Sequence, residues 1–234
     1  MSNDKKYLEK AKLVERQKLY SVKEALALVK QTARTKFDES VDVAMKLGVD
    51  AKKVAVRGTV MLPAGSGKSK KVAVIAKPEK ALEAEKAGAE VFGGDDLIQK
   101  IQNGFLGFEV VIATPDMMAA VGKLGKILGT KGLMPNPKSG TVTFEIEKTV
   151  KEFKAGKIEF KMDKGGALHS VLGKVSFDTT ALEKNFHATL EAILHAKPSG
   201  TKGIYVESIT VSSTMGPGIK IDPKVAQEMA MRSE

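Results

Sequence analysis

Residues 71–113 read KVAVIAKPEKALEAEKAGAEVFGGDDLIQKIQNGFLGFEVVIA, a stretch in which apolar runs alternate with charged segments. Apolar residues fill 72–76 and 110–113, as they do in strands whose sheet is covered on both faces. Residues 91–92, Val-Phe, supply a shorter run between these two. The stretch therefore predicts three strands.

Two helices are predicted in the gaps between these strands. Pro78, a residue favoured in the first turn of a helix, begins one that ends at Gly88. Asp95 and Asp96, which are favourable at the positive end of a helix dipole, begin another that ends at Gly104. Strands and helices that alternate at this spacing indicate βαβ units and a largely parallel sheet.

Outside this stretch, apolar residues alternate with polar ones, as in strands that have one face in water. This pattern predicts strands over 41–49, 54–62, 157–161 and 204–211. A Ser or Thr followed three residues later by Glu is a capping box, which marks the start of a helix. Such boxes predict helices that begin at 21–24 and 180–183.

Half-solvated segments at both ends of the chain flank the buried α/β segment. The chain passes between these segments at two places, and both are rich in Gly and Lys. We therefore expect a two-domain protein of mixed α+β and α/β class. Its outer domain would be discontinuous, α+β in character, and built from 1–63 and 158–234. Residues 64–157 would form an inserted Rossmann-like, three-layer α/β domain.

The composition points to an acidic partner and a reducing compartment. The 234 residues carry a net charge of +10, with an isoelectric point of about 9.5. The chain has no Cys, which excludes a disulfide framework and thiolate chemistry. Its first residues are charged throughout, unlike a secretory signal, and no apolar run is long enough to span a membrane. We expect a cytoplasmic protein without a membrane partner.

Residues 117–144 contain no acidic residue, although 28% of the chain is charged. Their many Gly and Pro residues predict a defined, turn-rich loop, because Gly permits positive φ and Pro fixes φ. Backbone N–H and ammonium groups would meet there without a carboxylate to neutralise them, which suits phosphate. The basic residues of this loop are Lys123, Lys126, Lys131 and Lys138.

Enzymatic and metal sites are disfavoured by the sequence. Residues 65–69 resemble the end of a P-loop, but the GxxxxGK[ST] spacing requires Gly at position 62, where the chain has Leu62. A hinge linker is the preferred interpretation of this segment. His187 and His195 lie on one predicted helix but too far apart to share a metal ion. No catalytic constellation is visible, so we expect no enzyme, no cofactor and no metal.

Five segments carry a family resemblance that extends from about Tyr20 to Ile221. They are TKFDESVDVAMKLGVD at 35–50, VRGTVMLP at 56–63, LGTKGLMPNP at 128–137, KIEFKMDKGGALH at 157–169 and STMGPG at 213–218. In this order they resemble the bacterial large-subunit ribosomal protein L1 family. Five motifs in the same order make coincidence an unsatisfactory explanation.

The resemblance implies an RNA-binding site on the outer domain. An aromatic ring can cover a sugar or base, Lys can meet phosphate, and small residues allow close approach to a shallow minor groove. The loop of the inserted domain would face further RNA through Lys126, Lys131 and Lys138. The residues implied in the main site are Lys36, Phe37, Glu39, Ser40, Lys161, Asp163, Lys164, His169, Ser213, Thr214, Met215 and Gly216.

The resemblance further implies a structural constituent of the large ribosomal subunit, at the mobile stalk near the transfer RNA exit site. Its expected partners are large-subunit ribosomal RNA, exit-site transfer RNA, which it helps to release, and the messenger RNA of its own operon, which it represses. Two other interpretations stay open: a free-standing messenger RNA-binding regulator and a nucleotide-binding α/β enzyme. Co-sedimentation with large subunits tests the first, and nucleotide-dependent thermal stabilisation tests the second.

The chain departs from the family pattern at several loop positions. Ala64 stands where His is frequent, Gly165 where a hydroxyl residue is common, and Thr130 where Pro is frequent. Lys126 and Lys131 stand where Arg is frequent, which keeps the charge but loses the planar guanidinium fork. These changes affect individual contacts rather than the overall resemblance.

Overall fold

The computed structural model describes residues 5–50, 54–198, 201 and 203–231, which form a mixed α/β protein. The chain divides into two compact units, which we call unit 1 (1–67 with 158–234) and unit 2 (68–157). None of the described helices is both long and apolar enough to span a membrane. The helices are α1 Lys5–Ala11, α2 Val22–Thr32, α3 Pro78–Lys86, α4 Asp95–Gln102, α5 Met118–Gly122, α6 Gly125–Thr130, α7 Ile146–Ala155, α8 Thr179–His195 and α9 Pro223–Met231. The strands are β1 Ser40–Leu47, β2 Arg57–Met61, β3 Val72–Ile75, β4 Val91–Gly93, β5 Val110–Ala113, β6 Lys157–Lys161, β7 Ala167–Lys174, β8 Val206–Ser213 and β9 Ile219–Ile221.

A four-stranded antiparallel sheet, in the order β7-β1-β8-β9, forms the centre of unit 1. Every second residue of β1, from Val41 to Leu47, is buried, so one face of the strand belongs to the core. Helices α2 and α8 contact the sheet and each other, and their buried side chains join the same hydrophobic cluster. The other face carries polar side chains that are exposed or half-exposed, which leaves it available for a ligand.

The capping box predicted at the start of α2 is present in the structure, whereas the one predicted at the start of α8 is not. At α2 the capping box is confirmed, because the Ser21 hydroxyl accepts from the N–H of Glu24 and the Glu24 carboxylate accepts from the N–H of Ser21. The predicted box at 180–183 is wrong. Asp178 is the residue before α8, and its carboxylate accepts a hydrogen bond from the Thr180 hydroxyl at 2.5 Å.

Unit 2 contains the three strands predicted from residues 71–113, and they form a parallel sheet in the order β4-β3-β5. The central strand β3 is buried on both faces. Ala73 and Ile75 pack into a cluster with residues of α4, α5 and α6, whereas Val72 and Val74 pack into a second cluster with residues of α3 and α7. Helices therefore cover both faces of this sheet, which explains its continuous apolar runs.

The prediction of a turn-rich loop over 117–144 is wrong in part, because α5 and α6 lie within it. Val121, Leu124 and Leu128 are fully buried at helical spacing. Burying each of these side chains stabilises the fold by about 1.5–3 kcal/mol, whereas a Gly inside a helix costs about 1 kcal/mol. Burial therefore outweighs the helix-breaking tendency of Gly in this segment.

Asn185, in the middle of α8, is fully buried and joins two other segments of unit 1 to this helix. Its side-chain oxygen accepts a hydrogen bond from the N–H of Ala64 at 2.9 Å. Its amide nitrogen donates to the carbonyl oxygens of Gly65 at 2.9 Å and Leu172 at 2.7 Å. Asn185 therefore fixes the segment at which the chain passes out of unit 1.

We expect Asn185→Ala to lower the free energy of unfolding of unit 1 by about 3 kcal/mol, because buried backbone groups lose their partner. Tyrosine fluorescence during urea unfolding reports on unit 1 alone, since Tyr7, Tyr20 and Tyr205 all lie there and the chain has no Trp. The control is Lys184→Ala at the exposed neighbouring position, which should change stability by less than about 0.5 kcal/mol. Equal stability of the two variants would contradict the role of Asn185.

Candidate nucleic-acid interface

The residues predicted to bind RNA in unit 1 lie mainly at the two ends of strand β1. Ser40 begins the strand next to residues 213–216, and this group with 34–40 is called the turn cluster. Lys46 lies near the end of the strand beside residues 161–167, which are called the hairpin cluster. In an extended strand, the distance from Ser40 to Lys46 is about 20 Å.

Glu39 holds the two loops of the turn cluster together. Its side chain is buried, with 1% exposure. One carboxylate oxygen accepts hydrogen bonds from the N–H groups of Arg34 and Thr35, both at 2.9 Å, and the other accepts from the N–H of Met215 at 3.0 Å. Arg34 also donates from Nε to the carbonyl oxygen of Met215 at 3.0 Å. These bonds hold residues 34 and 35 in the loop that follows α2, which ends at Thr32.

The ionised form of Glu39 is strongly favoured in the folded protein. Burial acts to raise the pKa of Glu39, but the hydrogen bonds that its carboxylate accepts from the N–H groups of Met215, Arg34 and Thr35 lower it to about 2. The nearby Ser213 hydroxyl acts in the same direction. Since the pKa falls on folding, the ionised carboxylate stabilises the protein above its unfolded pKa, and this stabilisation is lost as pH falls toward 2.

Two large apolar side chains are exposed on these braced loops: Phe37, 59% exposed, and Met215, 46% exposed. The Thr35 hydroxyl donates to the carbonyl oxygen of Phe37 at 3.0 Å. Asp38 accepts from the N–H and the hydroxyl of Ser176 at 3.1 and 2.7 Å. The loop is therefore fixed on both sides of the ring, so Phe37 is presented to solvent by an ordered backbone.

The turn at 213–216 is tied directly to the start of β1. The Thr214 hydroxyl accepts a hydrogen bond from the N–H of Ser40 at 3.0 Å, and the Thr214 N–H donates to the Ser40 carbonyl oxygen at 3.1 Å. A Cβ atom at Gly216 would overlap the buried hydroxyl of Ser213, so a larger residue here would force that hydroxyl to move. The Lys174 ammonium group donates to the Ser40 hydroxyl at 3.0 Å, which places a cation beside the turn.

The structure corrects the part expected of Glu39 and Ser213, which the sequence places among the residues that contact RNA. Both are buried beneath the loops that they support. The oxygens of Glu39 accept three backbone hydrogen bonds, and the 1% exposure of this residue leaves almost no surface for a direct contact with RNA. We assign Glu39 a positioning role. The exposed residues Lys36 and Thr214, together with Phe37 and Met215, stay predicted contacts.

The hairpin cluster is shaped by Asp163. Its carboxylate accepts from the N–H groups of Ala167 at 2.7 Å and Gly165 at 2.8 Å, and the hydrogen bond from Ala167 is the main cause of a lowered pKa for Asp163. Gly166 has a φ of +79°, and the Lys46 ammonium group donates to the carbonyl oxygen of Gly165. Asp163 therefore forms the turn itself, and the adjacent cations are presented to solvent.

A groove of about 510 Å³ lies beside this hairpin. The exposed side chains of Lys161 and Lys164 line it, together with Arg57 on β2. The sequence assigned no role to Arg57, although the VRG segment contributed to the family resemblance. The alternation over 54–62, with buried Val56 and Val60 on the opposite side from Arg57, was the signal that could have indicated its exposure.

His169 belongs neither to the hairpin turn nor to the turn cluster, but to the polar face of the sheet between them. One row across this sheet consists of His169, Ala44, Thr210 and Lys220. Burial raises the pKa of Asp42 on the same face, against the opposing effects of Lys174 and His169. The polar face thus connects the two clusters and carries charges of both signs.

The three Lys residues predicted to face RNA in unit 2 are all exposed: Lys126, Lys131 and Lys138. Asn136 orders the last of these positions. Its side-chain oxygen accepts from the N–H of Lys138 at 2.9 Å, and its own N–H donates to the Thr141 hydroxyl at 2.8 Å. The Thr130 hydroxyl donates to the carbonyl oxygen of Lys126 at 3.1 Å. The hydroxyl of this residue, which departs from the family pattern, therefore has a hydrogen-bond partner within its own helix.

The segment that resembles a P-loop leads into a strand rather than a helix. Residues 65–69 are followed by β3, and Gly65 and Gly67 have φ values of +73° and +71°. Lys68 pairs with Glu109. Within the described ranges, no group of three or more His, Asp or Glu side chains is placed to hold a metal ion.

A comparison with known protein families shows to which family this chain belongs. A model of the Ribosomal protein L1p/L10e family matches residues 29–217, well over half of the chain and the whole of both clusters. The chain belongs to this family. It is therefore a large-subunit ribosomal protein that binds ribosomal RNA, and its family is one of structural RNA-binding proteins rather than enzymes.

We expect Glu39→Gln to lower the free energy of unfolding of unit 1 by about 3 kcal/mol at pH 7. The neutral amide loses the favourable charge, and its nitrogen opposes the N–H of Met215 instead of accepting from it. The deficit relative to wild type should be constant above pH ~5 and should shrink as pH falls from about 4.5 toward 2. Urea unfolding followed by tyrosine fluorescence at a series of pH values measures both effects.

Glu228→Gln provides the matched control, because Glu228 is exposed on α9. This variant should follow wild type at every pH. If the deficit of Glu39→Gln stayed the same between pH 7 and pH 2, the ionised carboxylate would not be its cause.

Proposed function

We propose that unit 1 binds a folded segment of large-subunit ribosomal RNA through the turn cluster and the hairpin cluster. The observation that carries this proposal is the Glu39 network, which presents exposed Phe37 and Met215 on two loops held to one carboxylate. An aromatic ring and a flexible thioether suit sugar and base faces, and Gly216 allows the backbone to approach. Lys36, Lys161 and Lys164 would meet phosphates.

The separation of the clusters supports a folded RNA as the ligand. They lie about 20 Å apart along β1, a distance that one nucleotide does not span. The turn cluster is apolar at its tip and the hairpin cluster is cationic. A ligand that engages both must therefore present a sugar or base edge and a phosphate at a fixed spacing.

We further propose that the two units act as domains, with 1–63 and 158–234 as the RNA-binding domain. Unit 2 would be an inserted Rossmann-like, three-layer α/β domain that acts as a mobile arm. Separate hydrophobic clusters support this division, as do the left-handed conformations of Gly65 and Gly67 where the chain crosses. Lys126, Lys131 and Lys138 would face further RNA on this arm.

In the cell, we propose a cytoplasmic, ribosome-bound protein at the stalk beside the transfer RNA exit site. There it would assist the release of deacylated transfer RNA. The same surface would bind the messenger RNA of its own operon and repress its translation, because a messenger RNA of the same shape would present the same contacts. Ribosomal RNA and messenger RNA would then compete for unit 1.

The central test is equilibrium binding to large-subunit ribosomal RNA fragments over a salt series. We expect wild type to bind one fragment tightly, with affinity that survives high salt. Met215→Asp should weaken this binding by at least about 30-fold, because it places a charge at an apolar contact. Met61→Asp is the matched control, since Met61 is 42% exposed in the same unit but lies on β2, outside the turn cluster.

Either of two results would count against the proposal. Equal affinities for the two Met variants would remove Met215 from the interface. Weak binding of wild type to every fragment, with a steep salt dependence, would reduce the interaction to nonspecific attraction by the +10 charge. Co-sedimentation of the protein with large subunits separates a ribosomal constituent from a free-standing messenger RNA regulator.

If unit 2 acts as a mobile arm, the distance between the two units should change when RNA binds. The chain has no Cys, so Cys introduced at the exposed positions Lys184 in unit 1 and Lys100 in unit 2 can be labelled selectively. We expect a distribution of label distances in the free protein and a narrower one in the RNA complex. Identical distributions with and without RNA would argue against a hinge at 64–67.

A further inference from the structure

The sulfur chemistry of this chain belongs to methionine alone. The sequence contains ten Met and no Cys, so no thiol of the protein competes for an oxidant. A thioether takes up one oxygen atom to become a sulfoxide, which is polar, and methionine sulfoxide reductases reverse this step. The positions at which the folded protein is oxidised therefore depend on which Met side chains the solvent reaches.

The Met side chains differ widely in exposure. Met45 and Met162 are buried, with 1% and 4% exposure. Among the side chains that the structure describes, three Met are exposed: Met61 at 42%, Met215 at 46% and Met229 at 40%. Met61 lies on β2 and Met229 on α9, outside the turn cluster and the hairpin cluster. Of these three, Met215 is the one that lies in the proposed RNA interface.

The backbone of Met215 is held on both sides of its side chain. Its N–H donates to the Glu39 carboxylate at 3.0 Å, and its carbonyl oxygen accepts from Nε of Arg34 at 3.0 Å. Met215 cannot withdraw from the surface without breaking these bonds. A polar group added to its sulfur therefore stays at the tip of the turn cluster, where the apolar contact would be made.

We propose that Met215 is a site of reversible oxidation by hydrogen peroxide that switches off RNA binding by unit 1, an inference that rests on the function proposed above. One oxygen atom of the peroxide is transferred to the Met215 sulfur: the O–O bond breaks, an S–O bond forms, and water leaves. The sulfur is oxidised by two electrons and the peroxide is reduced. The product is a polar sulfoxide in place of a flexible, apolar thioether.

This switch acts on the free protein and not on its RNA complex. In the proposed interface Met215 contacts RNA, which keeps peroxide away from its sulfur. A sulfoxide formed before RNA arrives must lose its water on binding, and burying a polar group without a hydrogen-bond partner is unfavourable. Peroxide would therefore withdraw free protein from ribosomal RNA and from messenger RNA, while ribosome-bound copies stay reduced.

The first part of the test measures oxidation of each Met in the full chain. Peptide mass spectrometry follows brief peroxide treatment, at doses that leave buried Met45 and Met162 reduced. We expect Met215 to be oxidised in the free protein, and about 100-fold more slowly with a ribosomal RNA fragment at ~100 times its Kd. Met61 and Met229 should be oxidised at the same rate with and without RNA.

The second part compares the affinity of each protein for the same fragment before and after peroxide. Wild type and Met61→Leu should bind about 5–100-fold more weakly after treatment, and reductases for both sulfoxide epimers should restore their affinity. Met215→Leu keeps an apolar side chain of similar volume without the sulfur, so treatment should not change its affinity. Urea unfolding followed by tyrosine fluorescence verifies that the treated proteins are folded.

The switch and the proposed function fail by different results. If folded wild type that carries the Met215 sulfoxide still binds tightly, the switch is overturned and the proposed function stands. The same conclusion follows if Met215 resists peroxide as well as buried Met45 does, or if Met215→Leu loses as much affinity as wild type on treatment. If untreated wild type binds no fragment above its nonspecific affinity, the proposed function fails and the switch fails with it.

Discussion

The buried carboxylate of Glu39 accepts three backbone hydrogen bonds from loops that are far apart in sequence, and the candidate interface depends on this contact. Taking a carboxylate out of water costs several kcal/mol unless hydrogen bonds replace its solvation. Here backbone N–H groups supply them, so the compensation is directional and fixes main-chain positions. Phe37 and Met215 are consequently ordered before any ligand arrives. Binding then requires less ordering of the loops, which leaves more of the contact energy for affinity.

The central sheet of unit 1 places a second constraint on the interface, because folding and binding use its opposite faces. In β1, Val41, Val43 and Met45 point into the core, whereas Asp42, Ala44 and Lys46 lie on the polar face. A slip of one residue in strand pairing would exchange the two sets and bury a Lys. The hydrophobic pattern that stabilises the fold therefore also fixes which side chains can meet a ligand.

Local signals in the sequence were sufficient for much of this fold and for few of its contacts. The strand at 157–161, the parallel strands of 71–113 and the capping box at Ser21 are set by short patterns, and all are confirmed. The predicted box at 180–183 is wrong because α8 begins at Thr179, directly after Asp178. The prediction of a loop at 117–144 is wrong in part, because burial of Leu124 and Leu128 outweighs the helix-breaking tendency of Gly. The role of Glu39 could not be predicted from local sequence patterns, because its partner Met215 lies 176 residues away.

The arrangement of unit 1 separates the sources of affinity and specificity for RNA. Cations such as Lys161 and Lys164 attract any phosphate backbone, and salt weakens that attraction. In the proposed interface Phe37 and Met215 would contact apolar edges of the RNA, an interaction that salt does not screen, and their braced loops would fix where those edges must lie. Because β1 holds the two chemistries about 20 Å apart, an RNA must match a distance as well as a charge. Under the proposed function, selection among RNAs of equal charge would follow from this spacing, which the sheet makes rigid.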